Sequence, residues 1–188
     1  MNLTKNKLNN LSRVFSHALR HEPGLYNLEL DNEGGAFIDE LIASLNIFKK
    51  YHGTITLNDI IYLLNNSSKK RHEINGNKIR ALYGHSLQKK ILKTPSPPPE
   101  YLFHGTSPQH IEQIKNSGLL PMRRQYVHLS TNQEIALEVR KRKCRKPVLL
   151  KIDALKAHLE NIIFYNGNEH IWLADAIPFN YIHIMWAP

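Results

Sequence analysis

In Arg71-His72-Glu73-Ile74-Asn75-Gly76-Asn77-Lys78-Ile79-Arg80-Ala81-Leu82-Tyr83, two short runs flank Asn75-Gly76-Asn77. Asn-Gly tolerates the positive φ of a tight turn, so the segment predicts a basic β-hairpin. Three stretches upstream have helical spacing. Leu8, Leu11, Phe15, Ala18 and Leu19 line one face of a first helix, Arg13, Ser16 and Arg20 the opposite face, and Pro23-Gly24 stops it. Residues 31–35 supply a turn, after which Phe37, Leu41, Ile42 and Leu45 mark a second helix. A third opens at Thr56, with Asp59 three residues on as capping partner, and carries Leu57, Ile60, Ile61 and Leu64. Three helices followed by a basic hairpin predict a winged-helix lobe over residues 1–93. Such lobes often sit on nucleic acids, although shape alone does not establish binding.

Thr94-Pro95-Ser96-Pro97-Pro98-Pro99 then breaks the pattern. Prolines cannot donate to a helix or a ladder, so residues 94–99 are expected to form a stiff, extended spacer between two lobes. Residues 100–188 alternate short strands and helices. Tyr101-Leu102-Phe103 is a short apolar strand running into a His104-Gly105-Thr106 loop. Ser107 is expected to cap a helix that has Pro108 in its first turn and Gly118 just past its end. Residues 126–129 read as a strand, and Thr131 with Glu134 as a capping box opening a helix that ends in the basic run 140–146. Residues 147–152 and 161–165 are strand-like, Asn166-Gly167 is a turn, and 171–173 and 181–185 close the lobe as strands. Many short strands with few helices place the chain in the α+β class, with a split, curved β-sheet in this second lobe.

Composition narrows the function. The chain has 188 residues, 41% of them hydrophobic, enough to bury real cores and to exclude global disorder. Lys and Arg number 25 against 16 Asp and Glu, and the resulting charge of +9 favours a polyanionic partner, most commonly nucleic acid. A single cysteine, Cys144, excludes an internal disulfide framework and a multi-cysteine zinc site. His52, His72, His85, His110, His158, His170 and His183 lack the paired spacing of zinc ligands, so no metal is expected. With no signal peptide or long apolar run, the chain is expected to be cytoplasmic and off the membrane. There is no G-x-G-x-x-G, so a Rossmann site is not indicated. Basic residues near one another in sequence read most simply as solvated charge or helix-dipole partners; what raises them above that is their joint order along the chain.

Five segments, "LSRVFSHALRHEP" (11–23), "KKRHEINGNKIRALYGHS" (69–86), "LFHGTS" (102–107), "GLLPMRRQYVHLS" (118–130) and "HIWLADAIPFNYI" (170–182), resemble the motifs of the NAD-dependent RNA 2′-phosphotransferases, the KptA and tRNA-splicing enzymes. The resemblance covers nearly the whole chain in the family's order. It implies an N-terminal winged-helix lobe and a C-terminal ADP-ribosyltransferase-like lobe. It also implies a reaction: an internal RNA 2′-phosphate is transferred to NAD, which is consumed, giving 2′-hydroxyl RNA, nicotinamide and ADP-ribose 1″,2″-cyclic phosphate. The family's Arg-His-Arg-Arg tetrad carries over to Arg20, His21, Arg71 and Arg124. Arg123 adjoins the last of these; Arg124 is preferred because it stands two residues before Tyr126, which replaces the first histidine of the family's R-x-H-V-H-L pattern.

For NAD, the resemblance implies that His104 contacts a ribose, that Gly105, Thr106 and Ser107 help seat the dinucleotide, and that His128 and Ser130 line the same cleft. Ile171 stands where many other ADP-ribosyltransferases carry a catalytic glutamate. Arg80, His85 and Ser86 belong to a family-like segment and are the further candidates to touch RNA. The expected partner is a tRNA-like RNA carrying an internal 2′-phosphate, and a monomer suffices, since two lobes around one cleft require no second subunit. Two other classes stay open at this point: an ADP-ribosyltransferase acting on terminal phosphates, and a non-catalytic RNA-binding module. The retained arginines argue against the module, because binding alone would tolerate lysine.

Overall fold

A computed structural model describes residues 5–47, 54–67, 69–142 and 144–185. His52, among the histidines considered for metal binding, and Lys143, in the basic run, lie outside the described residues. The chain forms two compact units, Met1–Leu92 and Lys93–Pro188.

The first unit runs α1 (Lys5–Arg20), a 3-10 turn at Pro23–Tyr26, β1 (Gly35–Phe37), α2 (Ile38–Ile47), α3 (Leu57–Asn66), β2 (His72–Asn75) and β3 (Lys78–Ala81). Leu11, Phe15, Ala18 and Leu19 of α1 pack with Leu41, Leu45, Ile60, Leu63 and Ile79 in one core, as the 3.6-residue period requires. The hairpin forms where Asn-Gly allows it: Asn75 pairs with Lys78 and Gly76 takes φ 60°. Thr56 and Asp59 close a full capping box on α3. Phe37 is a departure from expectation. It lies in β1, which adds to β3 as a third antiparallel strand in the order β1-β3-β2, and the second helix begins one residue later. At three residues, β1 is too short to show a period of two. It is placed by Asp31, whose carboxylate accepts from the Gly35 N–H at 2.8 Å and the Glu33 N–H at 3.0 Å.

The second unit contains β4 (Tyr101–Thr106), α4 (Ile111–Ser117), β5 (Val127–Ser130), α5 (Gln133–Lys141), β6 (Val148–Asp153), α6 (Ala154–Leu159), β7 (Phe164–Asn166), β8 (Ile171–Ala174) and β9 (Ile182–Met185). Their antiparallel order is β7-β8-β5-β4-β6-β9. Between β5 and β4 the ladder narrows to one residue pair, Phe103 with Ser130, whereas β4 and β6 pair over six. The sheet is therefore two halves joined at a seam. Leu102, Val127, Leu129, Leu150, Ile152, Trp172 and Ala174 face a core shared with Ile111 and Ile114 of α4 and Ala154 and Ala157 of α6.

Three local expectations are corrected. The cap of α5 is Asn132, whose side chain accepts from the Ile135 N–H; Thr131 and Glu134 do not form the box. Ser107 makes no side-chain cap, and Pro108 opens a 3-10 turn (Pro108–His110) before α4 begins; Gly118 does end α4, at φ 72°. The Pro-rich segment belongs to the second unit. Pro95 bridges Tyr165, and the Ser96 N–H donates to the Phe164 carbonyl at 2.9 Å, so the segment extends the β7 edge. Together the units make a mixed fold with two antiparallel sheets, consistent with the α+β class. Among the described residues, no helix is long and apolar enough to cross a membrane.

Candidate active site

In the first unit Arg20 ends α1 and is only 7% exposed. Its Nη2 donates to the Arg71 carbonyl at 3.0 Å, and its guanidinium stacks over the Tyr83 ring, 5.1 Å from the centroid. Ser86 ties the next residue into the group: its N–H donates to the Arg20 carbonyl at 3.0 Å, and its Oγ is hydrogen-bonded to His21 Nδ1 at 2.8 Å. Arg71 Nη1 donates to Ser12 Oγ at 3.4 Å. Residues from the end of α1, the entry to β2 and the segment after β3 thus gather at one place. His21 is exposed there, whereas Arg20 is buried.

His72 lies beneath this group, buried, its ring edge-on to Phe15 and Nε2 3.4 Å from Ser16 Oγ. Burial pushes its pKa well below the ordinary imidazole value, and the charges of Arg20, Arg71 and His85 push the same way. A neutral imidazole adds no third cation between two guanidiniums. Sequence periodicity grouped Arg13 with Ser16 and Arg20. Instead Arg13 is exposed, and Ser12, Ser16 and Arg20, four residues apart, make the stripe that meets Arg71 and His72. Ser12 and Tyr83 were not foreseen; the i, i+4, i+8 spacing from Arg20 was the available signal for Ser12.

The other RNA candidates separate. Ser86 is exposed at the site, but His85 is 3% exposed, with its Nε2 3.1 Å from where a Cβ on Gly34 would sit. Arg80 is engaged on the hairpin surface, its Nε donating to Glu73 at 2.6 Å and Nη1 to Glu33.

In the second unit, His104 stands at the seam. Its Nδ1–H donates to the His128 carbonyl at 2.9 Å, bridging β4 to β5 where ladder pairs stop. Burial pushes the His104 pKa down; the bond to the His128 carbonyl opposes this, and the charge of Arg140 adds to it. Register places Ser130 beside Ile171 and His128 beside Leu173, so His128, Ser130 and Ile171 share one sheet face. His128 Nδ1–H donates to the Tyr126 carbonyl at 2.9 Å, which leaves Nε2 as an acceptor, and Arg124 Nη1 donates to it at 3.3 Å. It is Arg124, then, that joins the strand histidine. Ser130 Oγ accepts from the Asn132 N–H at 3.1 Å.

Thr106 and Ser107 are buried, and Ser107 Oγ accepts from Arg140 Nη2. A Cβ on Gly105 would lie 2.4 Å from the Ala136 carbonyl oxygen, so the missing side chain is explained by the close approach of α5. Tyr126 is buried with its ring 5.1 Å from that of Tyr165. Tyr165 donates to Asp175 at 2.9 Å, and burial together with that carboxylate pushes its pKa up to about 12. Arg140 is the residue of this unit that sequence reading missed, because it sits in a basic run that reads as a solvated helix end.

Comparison with known proteins adds the family. A family model described as "RNA 2′-phosphotransferase, Tpt1 / KptA family" matches residues 6–176. A relative from Acetivibrio thermocellus named "Probable RNA 2′-phosphotransferase" is 49% identical over 172 residues, 92% of this chain and 94% of the relative. Proteins of the same name from Bacillus thuringiensis subsp. konkukian and Pectobacterium atrosepticum are 46% identical over 175 residues and 38% identical over 180. These alignments cover 93% and 94% of this chain, and 94% and 97% of the relatives.

Proposed function

The chain belongs to the Tpt1/KptA family of RNA 2′-phosphotransferases, and from that we propose that it strips an internal 2′-phosphate from RNA by transferring it to NAD. The first unit, with its helix-strand-helix-helix-hairpin order, is read as a winged-helix lobe holding the RNA phosphate. The second, with its seamed antiparallel sheet, is read as an ADP-ribosyltransferase-like lobe holding NAD.

The chemistry has two steps. A 2′-phosphate oxygen attacks C1″ of the nicotinamide ribose; the C1″–N bond breaks, nicotinamide leaves with the bonding pair, and RNA-2′-phospho-ADP-ribose results. Then O2″ of that ribose attacks phosphorus and gives up its hydroxyl proton, the bond to the RNA 2′-oxygen breaks, and the 2′-oxygen takes up a proton. ADP-ribose 1″,2″-cyclic phosphate leaves. Charge moves at phosphate in both steps. Guanidiniums hold phosphate through paired N–H donors and cannot lose their protons, which lysine does not match. Arg20, Arg71 and Arg124 are assigned to that task, and His21 to protonating or holding the departing 2′-oxygen. In the first step the nucleophile is already an anion, so an apolar Ile171 at the position of a general base is compatible with it. His104, Thr106, Ser107, His128 and Ser130 are assigned to the dinucleotide.

The observation that carries the reading is the gathering of Arg20, His21, Arg71 and Ser86 from segments up to 65 residues apart. The test is nicotinamide release. The chain is incubated with NAD and an oligoribonucleotide with or without one internal 2′-phosphate. Release that requires the 2′-phosphate is expected; release with terminally phosphorylated RNA alone, or none, defeats the reading.

A further inference from the structure

We infer that Arg140 is a diphosphate-binding residue of the second unit, holding the phosphates of the dinucleotide against the 104–107 segment. The inference rests on the reading that this unit binds NAD. Arg140 lies in the last turn of α5, and the bland account of such a residue is a cation favoured by the helix dipole. That account suits Arg142, which pairs with Glu138 four residues back. It does not suit Arg140. This side chain is half-buried, its Nη2 is turned onto Ser107 Oγ, and its Nε is buried with no hydrogen bond to any described residue. No carboxylate among the described residues pairs with it. A guanidinium withdrawn from water without a counter-charge is costly, and its natural complement is an anion with several acceptor oxygens.

The position is also defined. An absent Cβ at Gly105 lets α5 approach until the Arg140 Cβ stands 3.0 Å from where it would be. This brings the guanidinium stem alongside the end of β4, and its charge reaches His104, adding to the burial that keeps that imidazole neutral. Ser107 Oγ, held from one side by Arg140, fixes the fork in place rather than neutralising it. Gly105 therefore contributes to ligand binding through the helix it admits.

Calorimetric titration of the full chain with ADP-ribose tests this, alongside steady-state KM values for NAD and for 2′-phosphorylated RNA. Arg140→Gln is expected to weaken ADP-ribose binding and raise the KM for NAD about tenfold to a hundredfold, the usual worth of charge-assisted bonds. The KM for RNA should change less than twofold. If Arg140→Gln does not fold, judged by circular dichroism, Arg140→Lys serves instead; it keeps the charge but loses the fork, and a rise of at least threefold is expected. Unchanged ADP-ribose affinity in the folded variant overturns the assignment, as does a rise in the RNA KM equal to that for NAD. A parent chain that neither binds ADP-ribose nor consumes NAD defeats the proposed function itself, which is a separate outcome.

Discussion

His72 and His104 are imidazoles that burial holds neutral, and each therefore ties stability to pH. In both, the folded pKa lies below the ordinary value of 6.5, so below that pH the unfolded chain takes up protons the folded chain refuses. Stability is thus expected to hold above pH 6.5 and to fall on acidification toward the folded pKa values, by up to about 1.4 kcal/mol per pH unit for each imidazole. Melting temperatures between pH 7 and 5 check this, and His72→Gln should flatten the slope. At the proposed phosphate site, Arg20→Lys keeps the charge but loses the paired donors, and activity should fall about a hundredfold or more. His21→Asn should lose about a hundredfold or more, chiefly in the second step, so RNA-phospho-ADP-ribose should accumulate in single-turnover reactions. A second step as fast as in the parent chain would remove the acid role.

Among the elements, α5 and the hairpin show what was legible and what was not. The hairpin was plain because Asn75-Gly76 is a local backbone requirement, and the α3 cap because Thr56 and Asp59 satisfy each other within one turn. The α5 cap was misread because Thr131-Asn132 offers two adjacent cap residues, and only the chain's path out of β5 selects Asn132. The contrast is measurable: Asn132→Ala should cost about 1 kcal/mol in denaturant unfolding and Thr131→Ala a few tenths. Gly105 was legible as important but for an incomplete reason, since only the fold brings the Ala136 carbonyl to it. Gly105→Ala must push α5 away and is expected to destabilise the second unit by about 1–3 kcal/mol while weakening ADP-ribose binding. The tetrad members were readable only as motifs; periodicity gave no hint that the buried Arg20 would meet the Arg71 carbonyl, because that contact spans 51 residues.

For the molecule as a whole, the charge of +9 favours a polyanionic partner, and the pattern breaks at 94–99, just inside the second of the two compact units, which begins at Lys93. That break could not announce that Pro95 and Ser96 would pair with β7, because an edge partner is chosen by the sheet it completes. RNA affinity should weaken steeply with salt, with a log–log slope of about −0.7 per phosphate neutralised on a single strand. RNA carrying a single radiolabelled internal 2′-phosphate is incubated with the chain, with and without NAD, and the labelled products are separated. Label should leave the RNA only when NAD is present and appear in ADP-ribose 1″,2″-cyclic phosphate. Label released as inorganic phosphate, released without NAD, or retained permanently on the RNA would contradict it.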